Sequence, residues 1–146
     1  ATQMGMSIVE FQEYLNQHEE IDRQVEKSAS EYAAEHDNLI IDARLGFYAV
    51  PYSFKVYLKV DLMESARRAY NDALREATEK YTSVEQAAQA IKYRFEQENY
   101  RYIKTYNVDR TDMSNYDLVV DTTDKTPEEV FKIVLDAYKQ WLKDKE

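Results

Sequence analysis

The chain has 146 residues and a formal net charge of −9 at pH 7, from 19 basic and 28 acidic side chains. That length carries a single core, and the acidic balance opposes general binding to nucleic-acid polymers, which calls for a basic face. There is no cysteine and there are two glycines, Gly5 and Gly46, which excludes a disulfide framework and a thiolate zinc site and leaves little backbone for a glycine-lined phosphate cradle.

In chain order, Ser7-Ile-Val-Glu10 reads as a capping box opening a helix over residues 8–17. A second helix is predicted from Glu19 to His36, with Ile21, Val25, Ser28 and Tyr32 on one face. Asn38–Asp42 reads as a short buried strand and Phe54–Val60 as another, with Gly46 and Pro51 marking irregular chain between them. Helix returns from Met63 to Glu79. Ser83, with Gln86 three positions on, caps a long helix that ends near Tyr106, where Asn107 is a stop signal. Tyr116–Asp121 is a third strand around Leu118-Val119-Val120. Thr126-Pro127-Glu128-Glu129 starts a last helix that runs to Lys143, with Val130, Ile133, Val134, Ala137 and Trp141 facing inward. No apolar run approaches the roughly 18 residues of a membrane span, and no signal-peptide pattern opens the chain. The expectation is a cytoplasmic protein with no membrane partner.

Short apolar strands alternating with helices imply an α/β fold with a parallel sheet covered by helices. Ligands of such sheets bind at the carboxyl ends of the strands. Asp42-Ala43-Arg44 and Asp121-Thr122-Thr123 fall at two of those ends. Three strands make a thin sheet, so a further part is expected to be missing or supplied from elsewhere.

The side chains that could carry chemistry are mostly arginines. Arg94, Glu98 and Arg101 recur at i, i+4 and i+7, on one helical stripe, and Arg44 follows a strand end. A guanidinium fork matches the oxygens of a dianion such as phosphate. The same stripe spacing also gives ordinary helix-stabilising ion pairs, and both readings stand. Tyr93, Tyr100, Tyr102 and Tyr106 beside it suit a nucleotide or a core equally. Asp42 is either a strand-end acid satisfying loop amides or an acid placed to hold magnesium. Arg67 and Arg68 serve a phosphate or pair with Asp61 and Glu64. Arg23 reads as solvated within a mixed-charge helix. His18 and His36 have no partner at metal-ligand or triad spacing and read as surface residues.

The order of the pieces resembles the cytidylate kinases. Asn38-Leu-Ile-Ile-Asp-Ala-Arg-Leu-Gly-Phe is similar to their strand that ends in an acid, a small residue and arginine. Phe54-Lys-Val-Tyr-Leu-Lys-Val with Ala66-Arg67-Arg68 looks like their next strand and its arginine-bearing helix. Tyr100-Arg-Tyr-Ile-Lys-Thr-Tyr-Asn-Val-Asp with Ser114-Asn-Tyr-Asp-Leu-Val-Val-Asp-Thr is similar to the lid exit and last strand of short archaeal-type members. Thr126-Pro-Glu-Glu-Val resembles the closing helix start, and Met4-Gly-Met-Ser-Ile-Val-Glu-Phe through Glu20-Ile-Asp-Arg the monophosphate-binding insert. The resemblance spans nearly the whole chain and rests on order and spacing.

It implies an incomplete P-loop kinase-type three-layer fold, with a short parallel sheet flanked by helices. It also implies ATP-dependent phosphoryl transfer to CMP or dCMP, with magnesium. Under it, residues 1–37 form the monophosphate-binding helical insert, 38–62 the core strands, 63–106 the helical lid region and 107–146 the C-terminal strand and helix of a single domain truncated at its N-terminus. Arg44 takes the place of the arginine holding the acceptor phosphate. Arg94 and Arg101 take those of the catalytic lid-side arginines, with Glu98 between them on the substrate side. Arg23 stands for a further acceptor-phosphate arginine, Arg68 for one on the donor-nucleotide side, and Asp42 for a metal-holding acid. Position 45 is Leu where bacterial members carry an Asp that helps recognise the acceptor, which leaves base and sugar preference open. The family's opening strand, GxxxxGK[ST] loop and helix have no counterpart in these residues. The chain alone is therefore expected not to be a competent kinase, either as a truncated piece or, alternatively, as a degenerate non-catalytic nucleotide-binding or assembly protein. An uncovered sheet edge further predicts self-association.

Overall fold

The computed structural model describes residues 5–6, 8–72 and 81–145. Ser7, and with it the first capping box, and the predicted helical stretch 73–79 lie outside the described residues. The elements are α1 (Ile8–Gln17), α2 (Glu19–Glu35), α3 (Gly46–Ala49), β1 (Val56–Lys59), α4 (Leu62–Asn71), α5 (Val84–Tyr106), β2 (Leu118–Asp121) and α6 (Pro127–Lys143), with a 3-10 turn at Met113–Asn115 before β2. β1 and β2 pair in parallel, with Val56 opposite Leu118 and Lys59 opposite Asp121. The fold is mixed α/β, a short parallel sheet flanked by helices, consistent with an incomplete kinase-type fold.

The helix ends follow local chemistry. The Ser83 hydroxyl accepts from the Gln86 amide at 3.1 Å and starts α5. α5 stops at Asn107, whose φ of 55° is left-handed and whose amide donates to the Ile103 carbonyl at 3.0 Å. At α6 the Thr126 hydroxyl accepts from the Glu129 amide at 3.2 Å while the Glu129 carboxylate accepts from the Thr126 amide at 2.8 Å. This closes a capping box, with Pro127 in the first turn where its missing N–H is harmless. Asp61 caps α4, its Oδ1 accepting from the Met63 and Glu64 amides at 2.9 and 3.1 Å.

Two expectations differ from what is found. Asn38–Asp42 is not a strand: residues 39–43 have no regular structure, Asn38 has a left-handed φ of 58°, and Ile40 is fully exposed. An apolar run becomes a strand only beside a hydrogen-bonding neighbour. Among the described residues the sheet consists of β1 and β2 alone. The buried face of α2 is also rotated from the predicted one. Val25 and Tyr32 are exposed, whereas Asp22 and Ala33 are buried and Ala29 packs beside Ala33. Small alanines let a helix come close to its neighbour, and that close packing outweighs the larger apolar side chains.

The chain divides into two compact units, Ala1–Gln24 with Asp61–Asp109, and Val25–Val60 with Arg110–Glu146. The division falls within α2. The first unit centres on Ala66 of α4 against Ala87 and Ala88 of α5, with Tyr81, Val84 and Ile91 packed around them. The second centres on Ala33, Ala49 and Val50. Its aromatic contacts join Phe54 to Tyr138 and Trp141 of α6, and Tyr116 to Phe47 and Tyr57. No α6 residue is fully buried, so its apolar face is only partly covered. Replacing Thr126 with Ala is expected to cost about 1 kcal/mol in denaturant unfolding. Ile40→Ser, at a fully exposed position, is expected to stay within about 0.5 kcal/mol.

Candidate functional site

Two candidate residues of the first unit, Arg23 and Arg101, lie where α1 and the start of α2 meet the C-terminal half of α5. Arg101 is buried at 3 % exposure and Asp22 at 5 %. The Arg101 Nε lies 3.4 Å from Asp22 Oδ1, and its Nη1 donates to Asn16 Oδ1 of α1 at 3.2 Å. The Tyr106 hydroxyl donates to the other Asp22 oxygen at 3.1 Å. A carboxylate buried at this depth is tolerable only with such partners.

Arg23, the next residue of α2, is more exposed. Its Nη2 donates to the Thr105 carbonyl at 3.0 Å, and its guanidinium sits over the Tyr106 ring at 5.5 Å. Arg101 lies similarly over Tyr102 at 5.2 Å; such cation–π contacts keep a guanidinium in place without neutralising it. Lys104 pairs with Glu19 at 3.2 Å on the more exposed side. Glu98, one turn before Arg101 and Tyr102, is almost wholly buried. Arg94, a turn earlier still, is half-buried.

Arg68 lies on α4, away from this cluster in sequence and held by its own helix. Its Nε donates to Glu64 Oε1 at 2.7 Å, and Arg67 grips both oxygens of the same carboxylate at 2.8 Å. Hydrogen bonds from Arg67 and then Arg68 hold the Glu64 carboxyl down at about 2. Arg67 and Arg68 thus both pair with Glu64, and Asp61 caps the helix.

Arg44 and Asp42 belong to the second unit. Asp42 lies exposed on the irregular segment, and Arg44 exposed in the turn that leads into α3. The neighbouring Leu45 is completely buried, so a side chain at a position tied to acceptor recognition by resemblance here fills core. At the carboxyl end of β2, the Thr123 hydroxyl and amide donate to Asp121 at 2.7 and 3.0 Å, and Lys59 lies 3.3 Å away. The Thr123 bonds, more than Lys59, hold Asp121 at about 2. Among the described residues no group of three or more His, Asp or Glu could hold a metal ion, and no helix is long and apolar enough to cross a membrane.

Sequence reasoning missed Asp22 and Asn16. The signal was present in part: Asp22, Ala29 and Ala33 are spaced seven and four apart, and two alanines at helical spacing mark a closely packed face on which an acid needs a partner.

The model of the cytidylate kinase-like family matches residues 2–124. The chain belongs to the cytidylate kinase-like family. A cytidylate kinase of Methanobrevibacter smithii is 34% identical over 139 residues, covering 95% of this chain and 77% of that one. One of Thermococcus sibiricus is 40% identical over 135 residues, covering 92% and 66%. The chain thus spans about two thirds to three quarters of the length of these relatives. It is also 33% identical over 136 residues to an S-adenosylmethionine-dependent nucleotide dehydratase of Lacinutrix mariniflava, covering 93% of this chain and 27% of that longer protein. No solved structure matches.

Removing Arg101 strands the Asp22 carboxylate in a dry site, whereas removing Arg68 breaks an exposed pair. Arg101→Met is expected to destabilise by about 3–5 kcal/mol and Arg68→Ala by less than about 1 kcal/mol, both read from chemical denaturation followed by circular dichroism.

Proposed function

We propose that this chain carries the acceptor side of a cytidylate kinase-type reaction, the ATP-dependent transfer of a phosphoryl group to CMP or dCMP. The observation that carries the reading is the family match over residues 2–124. Arg23 of α2, which reaches the Thr105 carbonyl of α5, and Arg101 of α5, both facing Asp22's end of α2 within one unit, support it.

Phosphoryl transfer asks the protein for little covalent chemistry and much positioned positive charge. In this reading the resemblance assigns Arg44 of the second unit, and separately Arg23 of the first, to the acceptor phosphate. Arg94 and Arg101 close on the acceptor and transferring phosphates, Glu98 lies between them on the substrate side, and Arg68 acts on the donor-nucleotide side. Magnesium, bound with ATP, supplies neutralisation of phosphate charge. Such an ion takes one or two carboxylates with the nucleotide's own oxygens, and a lone exposed acid such as Asp42 fits that donor set. No GxxxxGK[ST] sequence lies within these 146 residues, so the property this chain can be asked for is acceptor binding.

A second reading is favoured by the neutralisation of Arg101 by Asp22. A non-catalytic nucleotide-binding or assembly protein keeps that ion pair as a permanent bolt. Self-association also belongs to the proposal, through the exposed Leu39, Ile40 and Ile41. Sedimentation at tens of micromolar is expected to show dimers or larger species, and a strictly monomeric boundary contradicts it.

Calorimetric titration with CMP tests the acceptor site. Binding in the micromolar range that Arg44→Ala abolishes supports it; no heat with either protein refutes it. Binding unchanged by Arg101→Gln favours the non-catalytic reading.

A further inference from the structure

Under the proposed function, on which this inference rests, Arg101 meets phosphate. In the structure its side chain is 4 % exposed and the Asp22 carboxylate stands at Nε. Carboxylate and phosphate oxygens compete for the same N–H fork. At 3.4 Å Asp22 compensates the charge without hydrogen-bonding the buried Nε–H, so a dianion finds no uncompensated charge there, while the Nε–H still lacks the acceptor that a phosphate oxygen would give it.

The surroundings are built for exchange. Asn16 and Tyr106 reach the pair through hydrogen bonds of 3.2 and 3.1 Å, and Lys104 and Glu19 add an exposed ion pair. Each of these contacts can be replaced one for one by water or by a ligand oxygen. The other half of α5 is different. There Ala87 and Ala88 pack against Ala66, and apolar contacts of that kind have no such substitute. Arg23, beside Asp22 in sequence and more exposed, offers an incoming anion its first cation, held by the Thr105 carbonyl and the Tyr106 ring.

We infer that Asp22 is an internal stand-in for the acceptor phosphate. It occupies Arg101 in the free protein, and a nucleoside monophosphate binds by displacing it. The phosphate engages Arg23 first, then takes the Arg101 fork as Asp22 withdraws to the Tyr106 hydroxyl and water. α1 and the first turns of α2 act as an autoinhibitory strap held to α5 by charge.

Asp22→Asn tests this, because it keeps an oxygen for Tyr106 and removes the competing charge. CMP affinity is measured by calorimetry for the wild type, Asp22→Asn and Asp22→Asn/Arg101→Gln, with thermal melts confirming folding. The single variant is expected to bind about tenfold tighter or more, within the usual size of a coupling between two sites. The double variant is expected to lose that gain. In the wild type, hydrogen exchange across α1 and the first turns of α2 is expected to rise on saturation with CMP. This measurement decides the matter if Asp22→Asn does not fold. An Asp22→Asn variant that binds no tighter, a gain that survives loss of Arg101, or exchange that falls in α1 and α2 overturns the strap. Wild-type binding that depends on Arg44, with no gain in Asp22→Asn, overturns the strap and leaves the acceptor site standing. No binding by any of the three proteins overturns both.

Discussion

A guanidinium taken out of water needs opposite charge beside it and oxygens for its N–H groups. Arg101 imposes that condition on the first unit. Asp22 of α2 lies 3.4 Å from Nε, a charge contact that leaves the buried Nε–H without a hydrogen bond, Asn16 of α1 accepts from Nη1, and the Tyr102 ring lies under the plane. Asp22 in turn requires a donor for its second oxygen and finds the Tyr106 hydroxyl. Buried ion pairs of this kind add little net stability over an apolar core of equal volume, but breaking one side is severe. Their effect here is on register. A shift of α2 by one residue would leave two buried charges unanswered.

α5 therefore carries two chemistries along its 23 residues. Its N-terminal half is anchored by alanine-on-alanine contact with α4, where close packing leaves no room for exchange. Its C-terminal half holds α1 and α2 by polar contacts. A helix anchored at one end and held by charge at the other can pass a local change in its partner's charge on to the segments it holds. That gives physical content to a binding step in which an anion changes which groups Arg101 serves.

Much of the framework was legible in the residues because its causes are local. Ser83 with Gln86, Thr126 with Pro127 and Glu129, and Asn107 each fix a helix end through partners a few positions away. The alternation of helices with short apolar runs gave the parallel pairing of β1 with β2. What could not be read depends on groups far apart in the chain. Leu39–Ile41 looks like a strand in isolation, yet a strand exists only against a neighbour, and local composition does not say whether one is there. The rotated face of α2 follows from Ala33 meeting Ala49 and Val50, not from its own largest apolar residues. The candidate site divides in the same way. Helical spacing placed Arg94, Glu98 and Arg101 on one stripe, but the burial of Arg101 needs Asp22, separated from it by 79 positions.

The central claim, that Asp22 and Arg101 form a coupled buried pair, is tested most directly by a double-mutant cycle. Unfolding free energies are compared for the wild type, Asp22→Asn, Arg101→Gln and the double variant. The account predicts strong non-additivity, with the double variant less destabilised than the sum of the singles by about 1–3 kcal/mol. Additivity within about 0.3 kcal/mol would contradict it, because two side chains that ignore each other when either is altered are not holding α2 to α5.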